Sequence, residues 1–69
     1  MQISARNTLS GTVKSITLGN VNAEIVLELP GGVELTSTIT RHSAERLGLA
    51  VGQPASAIVK SSDVMIGVE

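Results

Sequence analysis

The chain has 69 residues, with five Lys and Arg against six Asp and Glu, a formal charge of −1, no Cys and no Phe, Trp or Tyr. The missing cysteines exclude a disulfide framework and a thiolate metal site. Scattered cations in a near-neutral chain argue against a polyanionic partner, which calls for a basic face.

No apolar run approaches the roughly 20 residues that span a bilayer. The opening Met1-Gln2-Ile3-Ser4-Ala5-Arg6-Asn7 has no apolar signal region, so a cytoplasmic location is expected. Length fits one domain covering residues 1–69, at the small end of what folds alone. Its apolar residues are Val, Ile, Leu, Ala and two Met, without the bulk of aromatic rings. Such a core only narrowly offsets the entropy of ordering the chain. Burial between subunits is therefore expected as well as burial within them.

Residues 8–18 place apolar side chains at Leu9, Val13, Ile16 and Leu18. The step from Val13 to Ile16 breaks a period of two, and with Gly11 it predicts a strand that bends or bulges. Gly19-Asn20 reads as a turn of residues that tolerate positive φ. Over residues 21–29, Val21, Ala23, Ile25, Leu27 and Leu29 alternate with Asn22, Glu24 and Glu28, which predicts the best-defined strand. Pro30-Gly31-Gly32 closes it as a hairpin, and Val33 to Thr40 return. A short helix follows, with Ser43 as N-cap, Glu45 in its first turn, Leu47 and Leu49 packing inward and Gly48 as C-cap. Gly52-Gln53-Pro54 forces a loop. Ala55, Ala57 and Val59 form a fourth strand ending in Lys60-Ser61-Ser62. Asp63 turns the chain, and Val64, Ile66 and Val68 alternate on a fifth. These elements predict an all-β fold, a small OB-like five-stranded antiparallel barrel with one short helix between the third and fourth strands.

Enzyme motifs are missing: there is no Gly-rich phosphate loop and no nucleophile elbow. His42 is a lone histidine at a strand-to-helix junction, where surface or capping roles are ordinary. Glu24 and Glu28 share a strand face and read as a solvated outer surface. Two polar clusters lie where strand ends meet turns, Ser4-Ala5-Arg6-Asn7 and Lys60-Ser61-Ser62. Each offers one positive charge and short hydroxyl donors, which is what a tetrahedral oxyanion needs from several directions. Serine and lysine at turns are also ordinary, so the residues alone leave an anion site and a plain solvated turn both open.

The segments Ile3-Ser4-Ala5-Arg6-Asn7-x-Leu9-x-Gly11-x-Val13, Gly19-x-Val21-Asn22-Ala23-Glu24-Ile25, Ile39-Thr40-x-x-Ser43, Leu47-Gly48-Leu49-x-x-Gly52 and Ile58-Val59-Lys60-Ser61-Ser62-x-Val64 resemble, in order, the Mop family, the molbindins. With no second copy, the chain looks like the free-standing single-domain form rather than a tandem or regulator-fused one. The resemblance implies a non-enzymatic protein that binds molybdate or tungstate for intracellular molybdenum storage and homeostasis. It further implies a homo-hexamer, a trimer of dimers, holding the oxyanion between subunits.

Carried over, the interface site would comprise Ser4, Ala5 through its backbone N–H, Arg6, Lys60 and Ser61. Arg6 and Lys60 would come from different subunits. A second site near the threefold axis would comprise the backbone of Gly19, Asn20 and Val21, with Asn22 and His42 nearby. Many relatives carry Ala where this chain has Ser61, which leaves Ser61 and Ser62 as alternative donors.

Two other functions compete. A nucleic-acid-binding OB fold would stack bases on aromatic side chains, and this chain has none. An oxyanion-sensing regulatory module would act through a partner protein, since no DNA-binding helix pair is present.

Overall fold

The structure is a computed structural model and describes residues 2–69. Its elements are β1 (Asn7–Leu18), β2 (Asn22–Glu28), β3 (Glu34–Thr40), α1 (Arg41–Arg46), β4 (Pro54–Val59) and a 3₁₀ turn (Ser61–Asp63). All strand pairs are antiparallel, in the order β3-β2-β1-β4.

β1 makes the sheet curl. Its first half pairs with β4, from Asn7 opposite Val59 to Thr12 opposite Pro54. Its second half pairs with β2, from Thr12 opposite Glu28 to Leu18 opposite Ala23. A β-bulge lies between Val13 and Ser15, where the apolar period slips, so the expected bend is present. The bend also depends on Gly11, because a Cβ there would sit 2.6 Å from the Glu28 carbonyl oxygen. Only a residue without one lets the end of β2 cross β1 this closely.

The β2–β3 hairpin turns through Gly31 and Gly32 at φ +88° and +83°. It closes with Leu29 N–H donating to the Val33 carbonyl at 2.7 Å. Gly19 behaves differently from expectation. It is not among the glycines at positive φ, and its absent side chain instead makes room for the Asn22 carbonyl 3.1 Å from where a Cβ would stand. Val21 lies in that turn and is exposed rather than inward-facing.

The core is thin. Val13, Ala23, Ile25, Leu27 and Ala44 are buried, and Ile16, Leu29, Ile39, Leu49, Ala55 and Ala57 pack against them half-buried. β2 supplies three of the five buried residues, as its alternation predicts.

The helix starts earlier than expected. Thr40, not Ser43, is the N-cap: its Oγ1 accepts from the Ser43 N–H at 3.0 Å. Both residues are short hydroxyls three apart, and the cap falls to the one still in extended conformation. The helix therefore ends at Arg46. Glu45 lies in its last turn, pairing with Arg41 at 3.7 Å, and no acid occupies the first. Leu47 becomes the C-cap and is exposed, while Leu49 packs inward. Gly48 follows at φ +65°, the left-handed conformation expected of a helix terminator.

The sheet has four strands, not five. Residues 64–69 have the alternation of a strand but pair with no strand among the described residues, and Ile66 is 87% exposed. A strand exists only through its ladder, so periodicity alone could not place it. Among the described residues, no helix is long and apolar enough to cross a membrane.

Candidate anion site at the β1–β4 end

The register of β1 with β4 decides the site. Asn7 pairs with Val59 at the end of the ladder. Continued outward by one residue, that register sets Arg6 opposite Lys60, and by two sets Ala5 opposite Ser61. Ser4, Ala5, Arg6, Ile58, Lys60, Ser61 and Asp63 line one open concavity of about 460 Å³. All five residues assigned to the interface site thus meet around one hollow within a single chain, whereas the resemblance implied that Arg6 and Lys60 come from different subunits. Residues far apart in sequence are brought together because both strands run to the same end of the sheet.

The donors there are uncommitted. The ion pairs among the described residues involve Lys14 and Arg41, and neither Arg6 nor Lys60 enters one. Among the described residues, neither cation makes a side-chain hydrogen bond and the Ala5 N–H joins no backbone bond. The hollow therefore offers a guanidinium fork, an ammonium, two serine hydroxyls and a backbone amide with their hydrogen-bonding capacity open. That combination suits a compact oxyanion.

Asp63 was not foreseen. The 3₁₀ turn brings it round to the side of Lys60, because residues three apart eclipse in that helix, and its N–H donates to the Lys60 carbonyl at 2.9 Å. The spacing Lys60-x-x-Asp63 was the available signal. Its carboxylate lowers the positive charge of the hollow. Ser62 does not line the concavity, whereas Ser61 does.

The second cluster also gathers at one end of the sheet. Asn22 pairs with Thr40, which brings the Gly19–Asn22 turn against the start of α1. Arg41 ties this end together: its N–H donates to the Val21 carbonyl at 2.7 Å, and its Nη1 to the Gly19 carbonyl at 3.4 Å. The Gly19 N–H donates to the Asn22 carbonyl at 2.7 Å, which leaves the amides of Asn20 and Val21 open. His42 is exposed beside them. Arg41 is the residue that sequence reasoning missed here. It sits next to His42, and only the pairing of β2 with β3 shows where its guanidinium goes.

Glu24 and Glu28 are exposed, as a solvated face requires. Glu28 lies 3.8 Å from Lys14, which also binds Glu34. The Glu34 hydrogen bond and charge raise the Lys14 ammonium above its ordinary value of 10.5. Among the described residues, no cluster of His, Asp and Glu could hold a metal cation.

A curled antiparallel sheet of OB-like form, carrying one polar hollow where β1 and β4 end together, defines a small β module. The TOBE domain model matches residues 3–66. Molybdenum-pterin-binding protein 2 of Clostridium pasteurianum is 52% identical over 66 residues, covering 96% of this chain and 97% of its own. The molybdate-binding protein of Sporomusa ovata superposes with a TM-score of 0.93 at 40% identity, covering 99% of this chain and all of its own. The cytoplasmic molybdate-binding protein ModG, in a crystal with molybdate bound, superposes with a TM-score of 0.95 at 51% identity. That match covers all of this chain and 49% of ModG. The chain belongs to the TOBE-domain family and, within it, to the molybdenum-pterin-binding (Mop) proteins.

Proposed function

We propose that this chain binds molybdate or tungstate in the hollow formed by Ser4, the Ala5 N–H, Arg6, Lys60 and Ser61. It does so as one domain of a homo-hexamer built as a trimer of dimers. A second anion would be held by the Gly19–Val21 backbone, with Asn22 and His42. The role is cytoplasmic storage and homeostasis of the oxyanion; the chain is a binder and not an enzyme, with no nucleic-acid or membrane partner.

The observation that carries this reading is the β1–β4 register, which brings Arg6 and Lys60 to one hollow with their donors uncommitted. The relatives whose names refer to molybdate or molybdenum support the choice of anion. Exposed Leu9, Leu18, Ile58 and Val64 support assembly, because a lone chain would leave them in water.

Selectivity over sulfate follows from size. In a walled site the smaller anion leaves donors unfilled, at a cost of about 1–3 kcal/mol each. Native mass spectrometry with elemental analysis of the purified protein tests the proposal. A hexamer carrying molybdenum or tungsten is expected. A monomer, or a hexamer that takes up neither metal when molybdate and tungstate are supplied, would overturn it.

A further inference from the structure

We propose that Arg41 is a positioning residue for the second anion site: its grip on the Gly19 carbonyl aims the Asn20 N–H outward, toward the ligand. The inference rests on the reading that an anion lies on the Gly19–Val21 backbone, and adds the side chain that shapes that backbone.

The turn does not hold its own shape. Asn20 and Val21 lie between Gly19 and Asn22, whose N–H and carbonyl meet at 2.7 Å. Two-residue hairpin loops that match the twist of their strands use positive φ. Among the described residues, positive φ occurs only at Gly31, Gly32, Gly48 and Gly52, so this loop is of another kind. The usual second bond of such a loop, from the Asn22 N–H back to the Gly19 carbonyl, is not among the backbone bonds of the described residues. Arg41 Nη1 takes that carbonyl instead, at 3.4 Å.

Peptide geometry turns this grip into aim. No peptide bond among the described residues is cis, so in each unit the C=O and the N–H point in opposite directions. The Gly19 carbonyl and the Asn20 N–H share one unit. With the carbonyl drawn to Arg41, the Asn20 N–H faces away from it. The Arg41 main chain fixes the unit after Val21 in the same manner, since its N–H donates to the Val21 carbonyl at 2.7 Å. The middle unit, which carries the Val21 N–H, is thus held between two fixed neighbours. Amides already aimed spare an anion the cost of ordering them on binding.

The guanidinium is itself held from behind. Arg41 is the first residue of α1, and its Nε lies 3.7 Å from Glu45 one turn on. A planar fork can meet a carboxylate and a carbonyl at once, which a point charge does less well. Glu45 also offsets the positive charge, so what Arg41 brings to the site is orientation more than field.

The test is an NMR titration of the amides with sodium molybdate. In the unmodified protein the Asn20 and Val21 amides should shift, and so should the Ala5 amide in the β1–β4 hollow. No response at Asn20 and Val21 would overturn the second-site reading and this inference with it. Given that response, Arg41→Met should weaken binding at the turn roughly three- to tenfold, the effect of one hydrogen bond, and leave the Ala5 response unchanged. Unchanged affinity at the turn would overturn the positioning role while the second site stands. Equal weakening at the turn and at Ala5 would make Arg41 a scaffold residue only.

Two further readouts separate orientation from charge and from folding. The Arg41→Met loss should persist at about 0.5 M salt, where a bystander charge is screened; its disappearance there would contradict the proposal. Arg41→Lys keeps a donor of similar reach and should recover most of the affinity at the turn. Arg41→Lys as weak as Arg41→Met would likewise overturn it.

Discussion

Replacing Lys60 with Met keeps an unbranched stem and removes the ammonium with its three donors. Arg6 and Lys60 face the hollow as cations and Asp63 as an anion, so its walls carry one net positive charge. A hollow of about 460 Å³ is equivalent to a sphere about 5 Å in radius. At that distance a dianion and a unit charge interact by about 1.7 kcal/mol in a water-like dielectric. Physiological salt screens this to about 1 kcal/mol. Lys60 also donates charged hydrogen bonds, which bring the expected loss to about 1.5–3 kcal/mol and weaken molybdate binding roughly ten- to hundredfold.

Asp63→Asn removes only an opposing charge, so it should tighten binding by about fivefold. Both residues are exposed, and neither substitution should disturb the fold. Calorimetric titration at two ionic strengths measures both effects, and the Asp63 effect should shrink as salt rises. Unchanged affinity in Lys60→Met, or weaker binding in Asp63→Asn, would refute the charge assignment of the hollow.

Other expectations concern the scaffold. Gly11→Ala forces a Cβ to within 2.6 Å of the Glu28 carbonyl oxygen, so strands β1 and β2 must part. A cost of about 1–3 kcal/mol should lower the melting temperature by about 5 °C or more, and thermal circular dichroism showing no loss would contradict the close crossing. Lys14 gives a pH dependence. Its hydrogen bond to Glu34 raises the folded-state pKa above 10.5, so the unfolded chain releases that proton first. The contribution is complete below 10.5 and fades as pH rises through the folded value. Glu34→Gln should therefore flatten the fall in melting temperature as pH rises above 10.5. An unchanged slope would show that the pair does not stabilise the fold.

Much of the barrel was legible in the chain because it depends on local pattern. The slip between Val13 and Ile16 marked the bulge, the alternation through Ala23, Ile25 and Leu27 marked the buried face, and Pro30-Gly31-Gly32 marked the hairpin. The helix start was ambiguous because Thr40 and Ser43 are equivalent caps by residue type. The fifth strand is absent from the sheet because a ladder needs a partner, and alternation alone does not supply one.

The hollow needed more than pattern. Its donor residues were visible as short polar clusters, and their family resemblance assigned them to one site. That Arg6 meets Lys60 within one chain depends on the Asn7–Val59 pairing, which no local signal encodes. Asp63 and Arg41 were missed because ordinary charged residues become notable only through what the fold places beside them.

Selective oxyanion binding is the centre of this account, and competition addresses it most directly. The unmodified protein is titrated with molybdate in a calorimeter, with sulfate present at about hundredfold excess over protein. The heat of molybdate binding should persist with little loss of affinity, because a smaller anion leaves donors unfilled. Abolition of that heat by sulfate would show a general anion patch and contradict a site built for molybdate or tungstate.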